Sequence, residues 1–386
     1  MIVRYPERVE EHVFEAATVR SKDKDDYKTT ETLSDNTRVI PDCMFSKDTL
    51  IYILTEKYVY NVPFEQIVAK LNNLGLKISP SVLGEHVHNA MQWLCDRMTS
   101  CWEAAVKKSY ISMLDETRVL VGCEDGDSKE RKYKFKYIWG IYAKMQKLVW
   151  FIYEHGSRGA KVIQPFLENH IGFYTTDGYA VYKIYDSHPE DADPKRKRSA
   201  CLVHIRRYFV DALTEDHRLA LWFIDEISKM FTVEYECSKA GKTGAARLVE
   251  RLKLGNTADI MSRIEAKLIE LQNTGQTECG EKLMKAVKYA LSEWPAMKRV
   301  LENGDLELSN NLCEQMMRHI KMNLKTAGNI GSEGSAKHNA FMYSVIESCR
   351  MAGIKVDSYL DKLTDGLKKA AIGEDLTHLL PCYCTQ

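Results

Sequence analysis

The chain of 386 residues is long enough for two or three domains at about 150 residues each. Its 54 Lys+Arg balance 54 Asp+Glu, and 45% of its residues are hydrophobic, a composition that excludes a disordered chain. No apolar run reaches the ~18 residues of a membrane span, and the charged N-terminus lacks the apolar core of a signal peptide. We therefore expect a cytoplasmic protein, and the zero net charge argues against nucleic-acid binding unless basic residues cluster locally.

The first third of the chain is predicted to be polar and then helical. Residues 1–43 are weakly patterned, whereas 44–109 carry apolar residues at helical spacing. A helix that ends near Gly75 is followed by Ser79 and Pro80, a hydroxyl cap and a proline at the first helical position. Helix, short turn and helix predict a helix-turn-helix-like domain or, as the alternative, a plain helical hairpin.

A β-rich region begins at Tyr110. Three short runs of β-branched and aromatic residues predict an antiparallel meander. Residues 158–170 have helical spacing and are followed by a strand that breaks at Asp177-Gly178. A further strand candidate over 200–209 runs into a helix. The order βββαβ–β, followed by helices, predicts a mixed α/β fold with helices packed on one sheet.

The remainder is predicted to be mainly helical. Residues 211–300 have apolar positions three and four apart. Residues 304–325 begin as a turn and become a helix, 327–339 are a Gly-rich loop, 340–353 are helical, and a last helix begins near Asp357. The predicted divisions are a polar segment 1–43, a helical domain that could bind DNA at 44–109, the first part of the α/β core at 110–210, a helical insertion at 211–303, a core helix with the following loop and helix at 304–353, and a C-terminal segment at 354–386.

The 11 cysteines show no CxxC pair. Structural zinc sites usually take ligands in two closely spaced pairs. We expect reduced, mostly buried thiols instead.

Three acidic residues are candidates for chemistry. Asp115 is predicted to end the apolar strand YISML, and Asp177 to end the strand IGFYTT. A carboxylate beside a core strand is costly unless it is solvated, paired or bound to a cation, so two of them could share Mg²⁺, although each could also simply start a turn. Glu314 is the candidate third acid, but its spacing from Asn311 and Arg318 also fits a capping box or a surface ion pair.

Basic residues gather in three stretches, at 128–136, 194–207 and 318–325. Each alone fits a solvated face, but beside a carboxylate site such clusters would bind phosphates. His204 could orient a phosphate or pack as an ordinary core histidine. The candidate DNA contacts are His204, Arg206, Arg207, Arg318, Lys321 and Lys325.

Several ordered segments resemble the IS66-family transposases. They are DET at 115–117, EHGSRGAKVIQPFLENHIGFYTTDGYAVY, HIRR at 204–207, LELSNNLCEQMMR and the tail that begins GSEGSAKHN. The resemblance covers residues 40–386 and implies an RNase H-like core with a DDE acid triad. Asp115, Asp177 and Glu314 match the three acids of that family, and the long interval before Glu314 fits an all-helical insertion.

The chain also departs from the family pattern. Gln315 stands where the family tends to have Arg, and the basic stretch after the glutamate helix is reduced to Lys321 and Lys325. No Cys-rich zinc-knuckle region precedes the helical segment.

The resemblance implies a bacterial transposase that cleaves DNA at the ends of a mobile element and joins the freed 3′ end to target DNA. The three acids would hold two Mg²⁺ ions, for which Mn²⁺ could substitute. The implied partners are element-end and target DNA, a second copy of the chain and accessory proteins of the same element, at the nucleoid. The alternatives are an RNase H-like nuclease without strand transfer and an inactive DNA-binding derivative. A two-carboxylate glycosidase is a further alternative that the basic clusters disfavour.

Overall fold

The computed structural model describes residue 40 and residues 43–123, 132–186, 195–274 and 280–384, together with the backbone of 18–20 and 27–29. The remainder of the polar segment 1–43 and the start of the basic stretch 128–136 lie outside these residues. The chain divides into two compact units. The first is drawn from Met1–Ala104, Val119–Lys136 and Ile320–Gln386, and the second from Ala105–Arg118 and Tyr137–His319.

Seven strands and twelve α-helices make up the described chain. The strands are β1 (Thr18–Arg20), β2 (Tyr27–Thr29), β3 (Ile111–Cys123), β4 (Lys132–Ala143), β5 (Leu148–Ile152), β6 (Gly172–Thr176) and β7 (Arg196–Ala200). The α-helices are α1 (Lys47–Leu54), α2 (Phe64–Asn73), α3 (Pro80–Lys107), α4 (Gln164–Asn169), α5 (Leu202–Ala212), α6 (His217–Lys239), α7 (Gly244–Leu252), α8 (Thr257–Thr274), α9 (Glu281–Met297), α10 (Asn311–Ala327), α11 (Glu333–Ala352) and α12 (Val356–Lys369). Within the described ranges, no helix is long and apolar enough to span a bilayer.

One five-stranded sheet has the order β5-β4-β3-β6-β7. β4 and β5 pair antiparallel, whereas β6 pairs parallel with both β3 and β7. The predicted mixed sheet in an α/β fold is confirmed. Parallel neighbours matter for function because side chains at the same end of both strands meet at one edge of the sheet.

The second unit also holds the helices that were predicted between residues 211 and 300. Helices α5, α6, α8 and α9 share a buried apolar core, in which the rings of Phe209 and Phe223 stack with centroids 4.2 Å apart. Trp294 is 1% exposed in the same core. The apolar positions spaced by three and four residues therefore face the inside of a helical layer, as their periodicity predicts.

The first unit is mainly helical, and its helix ends agree with the sequence signals. Helix α3 begins at Pro80, and the Ser79 hydroxyl accepts the Val82 N–H at 3.3 Å. Helix α11 ends at Gly353, which adopts a left-handed conformation with φ 73°. The Trp102 and Phe341 rings meet edge-on at 5.8 Å in the core between α3 and α11.

Three sequence predictions about element boundaries are wrong. β3 continues to Cys123, so Asp115 lies inside a strand, whose continuation buries Val119 and Val121. The strand expected over 200–209 is instead β7 at Arg196–Ala200, and the helix α5 starts at Leu202. The loop predicted over 327–339 stops early, because the Ser332 hydroxyl accepts the Ser335 N–H at 3.1 Å and so caps α11.

Candidate active site

The pairing of β3 with β6 brings two of the predicted acids to one edge of the sheet. Met113 pairs with Thr175 in a parallel register, and Asp115 and Asp177 each stand two residues further along. Asp177 follows the last residue of β6, where its Oδ1 accepts the Tyr179 N–H at 2.9 Å. This side-chain-to-backbone bond fixes the turn that begins at Asp177.

The Asp115 carboxyl lies in a strongly negative environment. It is half-buried, and its Oδ1 accepts the Glu116 N–H at 2.9 Å. Burial and the negative charges of Glu116, Asp177 and Glu314 raise its pKa from 3.8 to about 8. A cation near this carboxyl would offset the charges of its neighbours and favour its ionised form.

Asn310 anchors the helix that carries Glu314. Its side-chain amide donates to the Leu114 carbonyl at 2.8 Å, and its backbone N–H donates to Cys201 Sγ at 3.2 Å. Asn310 is 1% exposed, so both bonds are sheltered from water. The first turn of α10 is thereby fixed to the strand residue that precedes Asp115.

Neither alternative for Glu314 is observed. Asn311 is the first residue of α10 rather than its cap, and within the described residues Arg318 makes no ion pair with Glu314. Instead Glu314 Oε1 lies 3.9 Å from His204 Nδ1. Both atoms are buried without a hydrogen-bond partner, which marks them as atoms that a ligand or ion would satisfy.

Cys201 is a site neighbour that the sequence prediction missed. In the described part of the chain, the metal-ligating atoms of Cys201, His204 and Glu314 lie within 4.8 Å of one another, whereas the three acids form no such group. Burial raises the pKa of the Cys201 thiol to about 11. The available signal was the three-residue spacing of Cys201 and His204, which places both side chains on one face at the start of α5.

Glu116, the second residue of DET, is already engaged. Its Oε2 accepts the Tyr182 hydroxyl at 2.7 Å, and its Oε1 accepts Arg158 Nη2 at 2.8 Å. The Arg158 guanidinium lies over the Tyr179 ring, 4.2 Å from the centroid. These contacts hold Glu116 away from ligand binding and fix the backbone beside Asp115.

The helical insertion reaches the site through an aromatic pair. A Cβ added at Gly178 would lie 2.5 Å from the Tyr289 hydroxyl oxygen, so α9 packs directly on the turn after Asp177. The Tyr289 and Tyr208 rings stack with centroids 4.2 Å apart. Burial, together with the charges of Glu293 and Asp177, raises the pKa of Tyr289.

The predicted DNA contacts occupy different surroundings. Arg206 is half-buried and Arg207 exposed on α5, and Arg318 is exposed on α10 in the same unit. Within the described residues, no carboxylate lies within 4.0 Å of these three guanidinium groups. Lys321 and Lys325 are exposed on the part of α10 that belongs to the first unit.

The basic stretch before His204 is largely structural, contrary to the interpretation of 194–207 as one phosphate-binding cluster. Arg198 is 5% exposed and donates to Asp186 Oδ2 at 2.5 Å and to Glu293 Oε2 at 2.8 Å. Lys197 pairs with Glu302 at 2.6 Å. Buried cations require counterions, so these side chains are committed to acids of their own unit.

Comparisons with known proteins agree with the family resemblance. The family model described as "Transposase IS66 family" matches residues 42–338. The uncharacterized protein y4jD of Sinorhizobium fredii (strain NBRC 101917 / NGR234) is 28% identical over 53% of this chain and 39% of its own length. The uncharacterized protein y4qI of the same strain is 25% identical over 86% of this chain and 61% of its own length. The chain thus spans less than two thirds of either relative.

Proposed function

Because the chain belongs to the IS66 family of transposases, we propose that it is a DDE-type enzyme that cleaves DNA at element ends and joins the freed 3′ end to target DNA. Asp115, Asp177 and Glu314 are the proposed catalytic acids. The observation that carries this proposal is the parallel pairing of β3 with β6, which sets Asp115 and Asp177 side by side, together with the Asn310 bond to the Leu114 carbonyl, which ties the helix of Glu314 to the same strand. Carboxylates from separate segments at one end of a sheet are what a metal-dependent phosphoryl-transfer site requires.

Two features of the fold support the wider proposal. A sheet with antiparallel and parallel pairs, followed by a helix that bears an acid, agrees with an RNase H-like core. Helices α2 and α3, joined by residues 74–79, agree with a helix-turn-helix-like module that contacts DNA.

The donor atoms fit Mg²⁺ as the proposed cofactor. Carboxylate oxygens are the hard ligands that Mg²⁺ prefers, and Mn²⁺ accepts the same set. A divalent ion at the proposed site would offset the mutual repulsion of Asp115, Asp177 and Glu314. When bound, two such ions supply Lewis-acid activation of the attacking oxygen and charge stabilisation at the leaving oxygen.

The protein's own residues would orient the reacting groups. The Tyr179 N–H fixes Asp177, and Tyr182 with Arg158 holds Glu116 and with it the backbone of Asp115. His204, beside Glu314, would position that carboxylate. Arg206, Arg207 and Arg318 would contact DNA phosphates and set the register of the strand without reading its sequence.

The test is isosteric removal of each acid. Asp115→Asn, Asp177→Asn and Glu314→Gln are each expected to lower Mg²⁺-dependent cleavage of DNA with element ends by at least about 100-fold. Asp211→Asn, an exposed aspartate on α5, is the matched control and should cleave normally. DNA binding by all four variants checks that they fold. Full cleavage by any of the first three would remove that residue from the site.

The same variants separate the remaining functions. Joining of a pre-cut element end to plasmid DNA is expected for a transposase and absent for an RNase H-like nuclease. Metal-independent DNA binding with no cleavage by the wild-type chain would indicate an inactive derivative. A second copy of the chain on DNA and accessory proteins of the element remain proposed partners at the nucleoid.

A further inference from the structure

A cavity in the first unit lies entirely apart from the acid residues. It has a volume of about 470 Å³ and is partly open to solvent. This volume is within the range of ~300–1,000 Å³ that is typical of small-ligand sites. All of its lining residues belong to the first unit.

Lys57, in the π-helical turn Thr55–Val59, is the buried cation of this cavity, whose lining also includes the exposed carboxylate Glu65. It is 9% exposed, and within the described residues no carboxylate lies within 4.0 Å of its ammonium group. The ammonium lies over the Phe64 ring, 4.6 Å from the centroid. Burial lowers the pKa of Lys57, and the charge of Glu65 partly offsets this effect. A buried lysine without an acid partner is costly and would be stabilised by an anionic ligand.

Gly84 makes a second wall of the cavity. It lies inside α3, where a glycine destabilises a helix relative to alanine. A Cβ added at Gly84 would meet no atom within 4 Å, so local packing does not require glycine there. A residue without a side chain instead leaves room for a ligand against the helix backbone.

The other walls offer aromatic and amide groups. Phe64, Tyr133 and His88 line the cavity, and the Tyr133 side chain is 43% exposed. Asn323 and Asn339 add side-chain amides. Aromatic faces bind nucleobases by stacking, and amides can bond to base edges.

We propose that this cavity binds a nucleotide, with the phosphate on Lys57 and the base against the aromatic side chains. The nucleotide is either a free mononucleotide or an unpaired nucleotide of a DNA strand. The proposal goes beyond the function assigned to the acids and does not depend on it, because the site contains none of them.

The first experiment replaces the charge and retains the length of the side chain. Lys57→Met in the full chain is expected to weaken binding of dAMP, or of a labelled single-stranded oligonucleotide, by at least about tenfold. For the oligonucleotide, the slope of log K against log salt should fall by about 0.7, the value for one lost phosphate contact. Lys369→Met, an exposed lysine on α12 outside the cavity, is the control and should change neither quantity.

The two probes identify the source of the nucleotide. Binding of dAMP that depends on Lys57 indicates a free nucleotide, and dependence on Lys57 with the oligonucleotide alone indicates a DNA strand. If Lys57→Met binds both as tightly as the wild type, or if neither binds the wild type, the proposal is wrong.

Two further measurements protect against a folding artefact. Gly84→Phe, which keeps Lys57, should fill the cavity and abolish binding while the thermal unfolding transition is retained. In the wild type, saturating nucleotide should slow acetylation of Lys57 relative to Lys369, and equal rates would contradict the proposal. Asp115→Asn should bind the nucleotide normally, so that failure of the proposed catalysis and failure of this site are separable.

Discussion

At the scale of single residues, Asp115 combines a local cost with a proposed use. Its burial and its acidic neighbours make its ionised form unfavourable, which lowers the free energy of unfolding when no cation is bound. A group whose pKa is raised in the folded state stabilises the fold fully below its unfolded pKa. That contribution is lost as the pH rises through the folded pKa.

The first prediction concerns this pH dependence. With EDTA present, the free energy of unfolding should decrease between pH 4 and pH 8 through the titration of Asp115. Asp115→Asn should remove that part of the decrease, an effect on the order of 1–3 kcal/mol. Urea unfolding at pH 5 and pH 8.5 measures it, with Asp211→Asn as control. Identical pH profiles for the wild type and Asp115→Asn would contradict the prediction.

The second prediction concerns His170, whose titration should destabilise the fold as the pH falls rather than as it rises. His170 is 1% exposed, its Nε2 lies 3.0 Å from the Phe173 carbonyl oxygen, and burial lowers its pKa to about 4. Its contribution is present above pH 6.5 and is lost as the pH falls towards 4. His170→Gln should therefore flatten the stability profile between pH 7 and pH 4.5 by about 1–3 kcal/mol. Denaturant titrations across this range provide the measurement, and His155→Gln, an exposed histidine, should leave the profile unchanged.

At the scale of elements, the contact between α9 and the turn after β6 is the point where the helical insertion bears on the proposed site. Only glycine fits at position 178 without displacing a neighbour, because the Tyr289 ring occupies the volume that a side chain would need. Displacement of Tyr289 would disturb the turn that begins at Asp177.

The third prediction tests this contact with a double-mutant cycle. Gly178→Ala should destabilise the chain and lower cleavage, because the new methyl group clashes with Tyr289. In a Tyr289→Ala background the same change should cost less, with a coupling energy of about 0.5–3 kcal/mol. Gly159→Ala, whose Cβ would meet only the Ser157 hydroxyl at 3.2 Å, is the control. Additive effects would show that the two residues do not compete for space.

Element types were predictable from periodicity, but some boundaries were not. The helices between 211 and 300 were predictable because their apolar residues recur at helical spacing and are buried together in one core. The strand β7 was missed because its run of basic residues is typical of a solvated segment. In the fold, Arg198 of this strand pairs with Glu293, almost a hundred residues away in the sequence. Long-range pairing of this kind overrides local propensity.

At the scale of the whole molecule, zero net charge conceals two populations of basic residues. Arg198 is committed to buried ion pairs, whereas Arg207 and Arg318 are exposed and have no acid partner among the described residues. The second population is therefore the one available to DNA, and the sequence alone does not distinguish the two.

The fourth prediction follows from that division. Arg207→Ala and Arg318→Ala should each weaken DNA binding and reduce the slope of log K against log salt by about 0.9 on duplex DNA, with unfolding unchanged. Arg198→Ala should instead destabilise the fold, by at most about 3–5 kcal/mol, because Glu293 then keeps Lys183 alone and Asp186 loses its bond to the guanidinium. Thermal unfolding and salt-dependent binding assays separate the two effects. A stable Arg198→Ala variant with weakened DNA binding would reverse the assignment.

The candidate site was predictable only in part. Asp115 and Asp177 follow apolar runs, and the strand register puts them at one sheet edge as expected. Two neighbours of the site, Tyr182, which bonds Glu116, and Cys201, which lies near Glu314, come from distant segments that no sequence periodicity connects to the acids. Their roles emerge only from the tertiary packing.

Glu314 could serve two donor sets of different chemical hardness. In the proposed Mg²⁺ site with Asp115 and Asp177 all donors would be oxygen, whereas with Cys201 and His204 they are sulfur, nitrogen and oxygen. Thiophilic ions such as Zn²⁺ or Cd²⁺ prefer the second set. A low concentration of either ion would then bind Glu314 in place of Mg²⁺ and inhibit the proposed reaction. Cys201→Ser would make the protein less sensitive to this inhibition. Selectivity among metals in the surrounding medium would thus be decided by a single thiol.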